Sequence, residues 1–237
     1  MGQNLSGKFA VVTGGTRGIG FAIVEALLSE GVAVALTGRG AESVDRALEL
    51  LCGKGRVIGK PCDAGRFEEV EAFFQFVDAE FGKLDILVNN AGIGVFGKVD
   101  ELSPEQWRSV IDTNLSGPFY CTRQAVPLMR KAGAGFIVNI GSLAGKHVFA
   151  GGSAYNASKF GLSGFTEAIM LDLRQEGIRV TTIMPGSVQT EFGRGSSEDA
   201  GWKVLPEHVA ETVVHLLRMP ARSLASRVEM RPSKPPK

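Results

Sequence analysis

Seven short apolar runs recur along the chain and are separated by longer amphipathic stretches: KFAVVTGG, VAVALTGR, RVIGKPCD, LDILVNNAG, GFIVNIGS, IRVTTIMPG and SRVEMR. A strand that is apolar on both faces must be covered on both faces. Such runs separated by helical segments therefore predict a parallel sheet packed between helices. Antiparallel hairpins would need only a few residues between strands, and here the spacers are long enough for a helix. The helices carry their own boundary signals. Ser103-Pro104-Glu105-Gln106 offers an N-cap serine, a proline at the first helical position and a capping-box glutamine, and the helix that begins at Ser153 runs to a stop at Gly177. The alternation fills residues 1–230 and predicts one doubly wound α/β domain of seven mostly parallel strands, with a segment near 191–205 as a lid. The terminal stretch 231–237, RPSKPPK, is expected to fray.

Composition excludes several classes. With 26 Lys+Arg against 25 Asp+Glu, no basic face for nucleic acid is expected. No apolar stretch approaches the roughly 18 residues of a membrane span, and no leader pattern opens the chain, so a cytoplasmic setting without a membrane partner is expected. The three cysteines, Cys52, Cys62 and Cys121, are far apart and fit neither a disulfide framework nor zinc. His147, His208 and His215 have no metal-ligand spacing, and no metal is expected.

The first strand enters TGGTRGIG, Thr13 to Gly20, and a helical stretch follows that closes at Gly31. A strand, a glycine turn and a helix N-terminus make an anion site suited to a pyrophosphate, because free N–H groups and the helix dipole point at it. Gly14, Gly18 and Gly20 are spaced G-x-x-x-G-x-G. The second strand ends at Gly38-Arg39, where an NAD site usually has an acidic residue for the ribose 2′-hydroxyl. Arg39, with Arg17 in the turn, can bracket a 2′-phosphate, which favours NADP(H) and leaves NAD(H) as the second choice. Asp63, after the third strand, can accept from the adenine amino group.

Tyr155 and Lys159 are four residues apart, on one face of a helix. A phenol with an ordinary pKa of about 10 is a poor acid-base group at neutral pH, and a neighbouring ammonium could lower it by about three pH units, roughly 4 kcal/mol. Reducing a ketone takes a hydride and a proton, so such a phenol is a candidate proton donor.

With TGGTRGIG, NNAG at Asn89 to Gly92, Ser142 after a strand, Tyr155-x-x-x-Lys159 and PGSVQT in this order, the chain resembles the classical short-chain dehydrogenase/reductase family over essentially residues 6–230. The resemblance implies a Rossmann-type sheet and a catalytic group of Asn114, Ser142, Tyr155 and Lys159. It implies cofactor contacts from Gly14, Thr16, Arg17, Gly18, Ile19, Gly20 and Arg39, from Asp63, Asn90, Ala91 and Gly92, and from Tyr155 and Lys159. Pro185, Gly186, Val188 and Thr190 resemble the family's nicotinamide clamp. Tyr155 would be the acid in reduction and the base in oxidation. Ser142 would hold the substrate oxygen, Lys159 the nicotinamide ribose, and Asn114 a water that relays protons.

Ile93, Leu143, Phe149, Phe192 and Trp202 are candidate pocket residues and favour a neutral or hydrophobic substrate. The overall pattern is nearest to 3-oxoacyl-(acyl-carrier-protein) reductases. The chain departs from them at Ala132-Gly133 and Glu176, where basic residues would meet an acidic carrier, and in its SRVEMRPSKPPK end. A carbonyl or alcohol oxidoreductase therefore stands first, the acyl thioester reductase second, and a non-catalytic dinucleotide sensor third. The resemblance also implies a homodimer or homotetramer.

Overall fold

The computed structural model describes residues 2–190, 192 and 201–235. Its strands are β1 (Phe9–Val12), β2 (Ala33–Gly38), β3 (Val57–Pro61), β4 (Ile86–Asn89), β5 (Gly135–Ile140), β6 (Ile178–Pro185) and β7 (Arg227–Met230). They form one sheet in the order β3-β2-β1-β4-β5-β6-β7, and every pairing is parallel. Each apolar run of the sequence holds one strand. The helices are α1 (Gly18–Ser29), α2 (Ala41–Leu50), α3 (Phe67–Phe81), α4 (Pro104–Ile111), α5 (Gly117–Ala132), α6 (Ser153–Leu173) and α7 (Pro206–Arg218).

Period-two alternation inside the strands divides the core between the two faces of the sheet. Ala10, Val12, Val34, Leu36, Ile86, Val88, Val138 and Ile140 pack with α1 and α7. Val11, Ala35, Leu87, Ile137 and Val180 pack with α3 and α5 on the other side. Only β7, at the sheet edge, keeps an alternating exposed and half-buried pattern. No helix among the described residues is long and apolar enough to cross a membrane.

Local chemistry sets the element ends that matter for the site. The Ser103 hydroxyl accepts from Gln106 N while the Gln106 side chain accepts from Ser103 N, the capping box foreseen in the sequence. The chain after α6 tightens into a 3₁₀ turn, Arg174–Glu176, and stops at Gly177 with φ +72°. A buried polar ladder anchors α6 to the sheet: Asn89 Nδ2 donates to Asn139 Oδ1 (2.8 Å), and Asn139 Nδ2 donates to Thr166 Oγ1 (2.8 Å).

The first residues after β7 lie against the loop that follows β5, and of the tail expected to fray, residues 236–237 lie outside the described residues. Arg231 Nη2 lies 3.1 Å from His147 Nε2 and donates to Glu229 Oε2 (3.2 Å), while Lys146 Nζ donates to Glu229 Oε1 (2.6 Å). A Cβ on Gly186 would meet both Leu143 Cδ1 (3.1 Å) and Pro232 Cδ (3.2 Å). The parallel β6·β7 pairing carries these residues onto the loop that follows β5, and their charges and ring then pack there. Of the segment expected to form a lid, residues 191 and 193–200 lie outside the described residues.

Candidate active site

The carboxyl ends of β1, β4, β5 and β6 converge on one edge of the sheet, and the candidate residues follow those ends. After β1 the turn reverses through Gly14 (φ +63°) and Gly18 (φ +55°), a conformation that side chains with a Cβ rarely adopt. Gly20 is required for space: a Cβ there would sit 2.1 Å from Gly14 O and 2.4 Å from Asn90 Nδ2. Thr16 packs against Gly38 at the end of β2, Ile19 is half-buried, and Arg17 and Arg39 are exposed at the ends of this turn and of β2. Asp63 Oδ1 accepts from Gly65 N (3.0 Å).

The NNAG segment serves first as a brace. Asn90 Nδ2 donates to Thr13 O and Gly14 O (both 3.0 Å), and the Asn90 and Ala91 N–H groups donate to Thr13 Oγ1 (both 3.0 Å). Two adjacent strand ends thus lock the glycine turn. Thr190, beyond Pro185 and Gly186 at the end of β6, closes the turn from the far side, since a Cβ on Gly18 would lie 3.3 Å from its Cγ2. Val188 is held by a parallel bridge to Val204.

Asn114 lies on a π-helical turn, Asp112–Ser116, inserted between α4 and α5. Such a turn adds a residue to a helix and displaces one side chain inward. Asn114 is fully buried. Its Oδ1 accepts from Ile93 N (2.8 Å), and its Nδ2 donates to Ile93 O (2.9 Å) and Ser158 Oγ (3.1 Å). The amide therefore joins the β4 loop to α6. A Cβ on Gly92 would lie 3.4 Å from Asn114 Oδ1 and 3.8 Å from Lys159 Nζ, so both polar atoms border the same glycine.

Lys159 Nζ is 5.8 Å from the centre of the Tyr155 ring and donates to Ile140 O (3.0 Å) at the end of β5. Ser142, two residues further, caps a 3₁₀ turn (Leu143–Gly145), with its Oγ accepting from Ala144 N (3.1 Å). Tyr155, Ser142, Lys159 and Asn114 are thereby assembled from α6, the β5 exit and the π turn.

The electrostatics differ from the expectation that Lys159 lowers the phenol. Burial pushes the Tyr155 phenol above its ordinary value, and its hydrogen bond with Ser142 opposes this only in part. Burial also lowers the Lys159 ammonium from 10.5 to about 8. Desolvation dominates for Lys159, and the ammonium's hydrogen bond to Ile140 O does not offset it.

Of the candidate pocket residues, Ile93 borders Asn114, Leu143 borders Gly186, and the Phe192 ring lies 5.8 Å from the Tyr155 ring. Phe149 joins the group through Phe96, 5.9 Å away, which in turn is 5.6 Å from Tyr155. Phe96 was not foreseen, although a single aromatic residue in the glycine-rich GIGVFGK stretch was a usable signal. Trp202 is half-buried, with Lys203 Nζ 5.9 Å from its ring centre.

An all-parallel sheet with a braced glycine turn at its carboxyl edge, beside half-buried Tyr155 and buried Lys159, defines a doubly wound fold of the dinucleotide-binding kind. The short chain dehydrogenase family model matches residues 8–201, and the chain belongs to that family of oxidoreductases. Among curated relatives, a 3alpha-hydroxysteroid dehydrogenase of Mediterraneibacter gnavus is 38% identical over 191 residues, 79% of this chain and 76% of the relative. A 3beta-hydroxysteroid dehydrogenase of the same organism is 40% identical over 196 residues, covering 81% and 70%. A metagenomic short-chain oxidoreductase solved in complex with NADP superposes with a TM-score of 0.86 at 37% identity, covering 98% of this chain and 100% of that one. An alcohol dehydrogenase of the archaeon Thermococcus sibiricus, complexed with 5-hydroxy-NADP, gives 0.89 at 28% identity over 97% and 99%.

Proposed function

We propose that this oxidoreductase binds NADP(H) and interconverts a carbonyl compound and its secondary alcohol, with Tyr155 as the acid in reduction and the base in oxidation. The observation that carries the reading is the joint placement of Tyr155, Lys159 and Ser142 beside the braced glycine turn. The residues present fit a dinucleotide. Gly14 and Gly18 supply the left-handed turn that leads into α1, Gly20 admits close backbone approach, and Arg17 and Arg39 are exposed at the ends of this turn and of β2. Two solved relatives hold NADP or a derivative of it, which supports the same choice here, with NAD(H) second.

When bound, NADPH supplies the hydride that becomes the C–H bond of the alcohol. The protein's part is the proton. Ser142 and Tyr155 both donate hydrogen bonds to the carbonyl oxygen, and as negative charge gathers there the Tyr155 proton crosses to it. The phenolate left behind faces the Lys159 ammonium and recovers a proton from solvent. A phenol raised by burial is protonated at neutral pH, the form that reduction needs, whereas oxidation requires it deprotonated and so gains as pH rises. Asn114 acts as a positioning residue that holds the Ile93 backbone to Ser158, one residue before Lys159.

The acyl thioester reading is weaker. Arg130 and Lys131, at the end of α5, are paired within the chain to Glu176 (2.6 Å) and Asp78 (2.7 Å), which leaves them less available to an acidic carrier. We further propose a cytoplasmic homodimer or homotetramer, on the family resemblance. The test is titration with NADPH and NADH, followed by ketones, aldehydes and a 3-oxoacyl thioester, read as loss of nicotinamide absorbance. NADPH binding with turnover, and loss of turnover but not of binding in Tyr155→Phe, is expected. Full activity in that variant would refute the mechanism.

A further inference from the structure

The surroundings of Tyr155 hold more aromatic surface than proton transfer requires. Phe96 meets the Tyr155 ring edge-on at 5.6 Å and 67°, Phe192 meets it at 5.8 Å and 51°, and Phe149 continues the row from Phe96 at 5.9 Å. Two glycines make room for the row. A Cβ on Gly94 would come within 2.8 Å of Phe96 Cζ and 3.1 Å of Phe192 Cε1, and one on Gly152 within 2.5 Å of Phe149 Cε2. Despite this packing, Phe149 and Phe192 each remain 47% exposed, and neighbouring Val148 is 75% exposed. Large apolar side chains left facing water beside a reacting group mark a binding surface.

Among the described residues near the rings, Lys146 and Arg231 both pair with Glu229, and Lys98 lies 3.7 Å from Glu101. A charged substrate would thus lose hydration against the rings without gaining a dedicated counter-ion. Tilted and edge-on ring faces instead favour a further ring. Phe96 and Phe192 both lie against the ring that carries the Tyr155 hydroxyl, so the substituents of a carbonyl held by that hydroxyl are expected beside them.

We infer that the substrate is an uncharged ketone, or the matching secondary alcohol, that carries a flat ring directly beside the reacting carbon. This rests on the reading of Tyr155 as the proton donor. The test compares kcat/KM, with NADPH, for acetophenone, for 2-octanone with the same carbon count, for benzoylformate, which adds a carboxylate to the ring ketone, and for the N-acetylcysteamine thioester of 3-oxobutanoate. Acetophenone is expected to exceed each of the others by about tenfold or more, the scale of one well-placed apolar group. Phe149→Ala should reduce the preference for acetophenone over 2-octanone by about fivefold, and Phe149→Tyr, which keeps the ring, should retain it. Preference for 2-octanone, benzoylformate or the thioester overturns the ring inference and leaves the reductase reading standing, as does an unchanged preference in Phe149→Ala. Absence of NADPH binding and of turnover with every compound overturns both.

Discussion

Replacing Lys159 by methionine should make this protein more stable and inactive at once. Lys159 is 5% exposed, and burial lowers its ammonium from 10.5 to about 8. That gap corresponds to about 3 kcal/mol by which the buried cation weakens the fold at neutral pH. Methionine keeps an unbranched stem without the charge, but it removes the donor to Ile140 O, at about 1 kcal/mol. The net gain at pH 7 is about 2 kcal/mol, or a Tm higher by roughly 4–8 °C for a chain of this size. The pH dependence supplies the decisive check. Below about 8 the folded and unfolded states both carry the proton. Between about 8 and 10.5 the unfolded state holds a proton that the folded state has released, so the parent gains stability as pH rises through this window. The variant's advantage must shrink across it and disappear by its upper end. Urea midpoints of both proteins at pH 7 and pH 10.5 measure this directly. A variant less stable than the parent at pH 7, or a margin equal at both pH values, would refute the reasoning.

Gly20→Ala forces a methyl against Gly14 O and Asn90 Nδ2, so NADPH affinity should fall about tenfold or more while far-UV circular dichroism stays native; unchanged affinity would show that the turn can relax. Arg39→Ala should weaken NADPH far more than NADH in parallel titrations, and equal losses would remove the 2′-phosphate role. Cys52 is exposed, whereas burial pushes the Cys62 thiol up to about 12 and raises Cys121 as well. A chromogenic disulfide should therefore react quickly with one thiol in the native protein and with the other two only after denaturation.

The fold was legible because its inner strands are buried on both faces, which writes them into the sequence as unbroken apolar runs, and because the caps at Ser103 and Gly177 are local chemistry. The Tyr155-Lys159 pair was legible for the same reason, since helical spacing decides which side chains share a face. The sign of the phenol's shift was not. Proximity of charge can be read from spacing, but the burial that raises the Tyr155 phenol and lowers the Lys159 ammonium depends on which elements cover them. The π turn under Asn114 was equally hidden, because DTNLS has no local preference for it and the extra residue is stabilised by contacts to Ile93 and Ser158 far along the chain. Phe96 is marked in the sequence only as the one aromatic of GIGVFGK, and its place against Tyr155 depends on the path of the loop after β4.

The grip of Glu229 and Arg231 on the loop that bears Lys146 and His147 has a bearing on when the site matures during synthesis. Residues leave the ribosome in order, at about 5–20 per second. The glycine turn, the Asn90 brace and β1 to β5 can form their mutual contacts while the β7 residues are still in the exit tunnel. The loop between β5 and α6 cannot receive its outer contacts until β7 has added to the edge of the sheet. The glycine turn and its Asn90 brace thus precede the outer restraint on the loop between β5 and α6. A chain cut just before Arg227 would keep the cradle for the cofactor but would lack the outer restraint on the segment that presents Ser142 and Phe149.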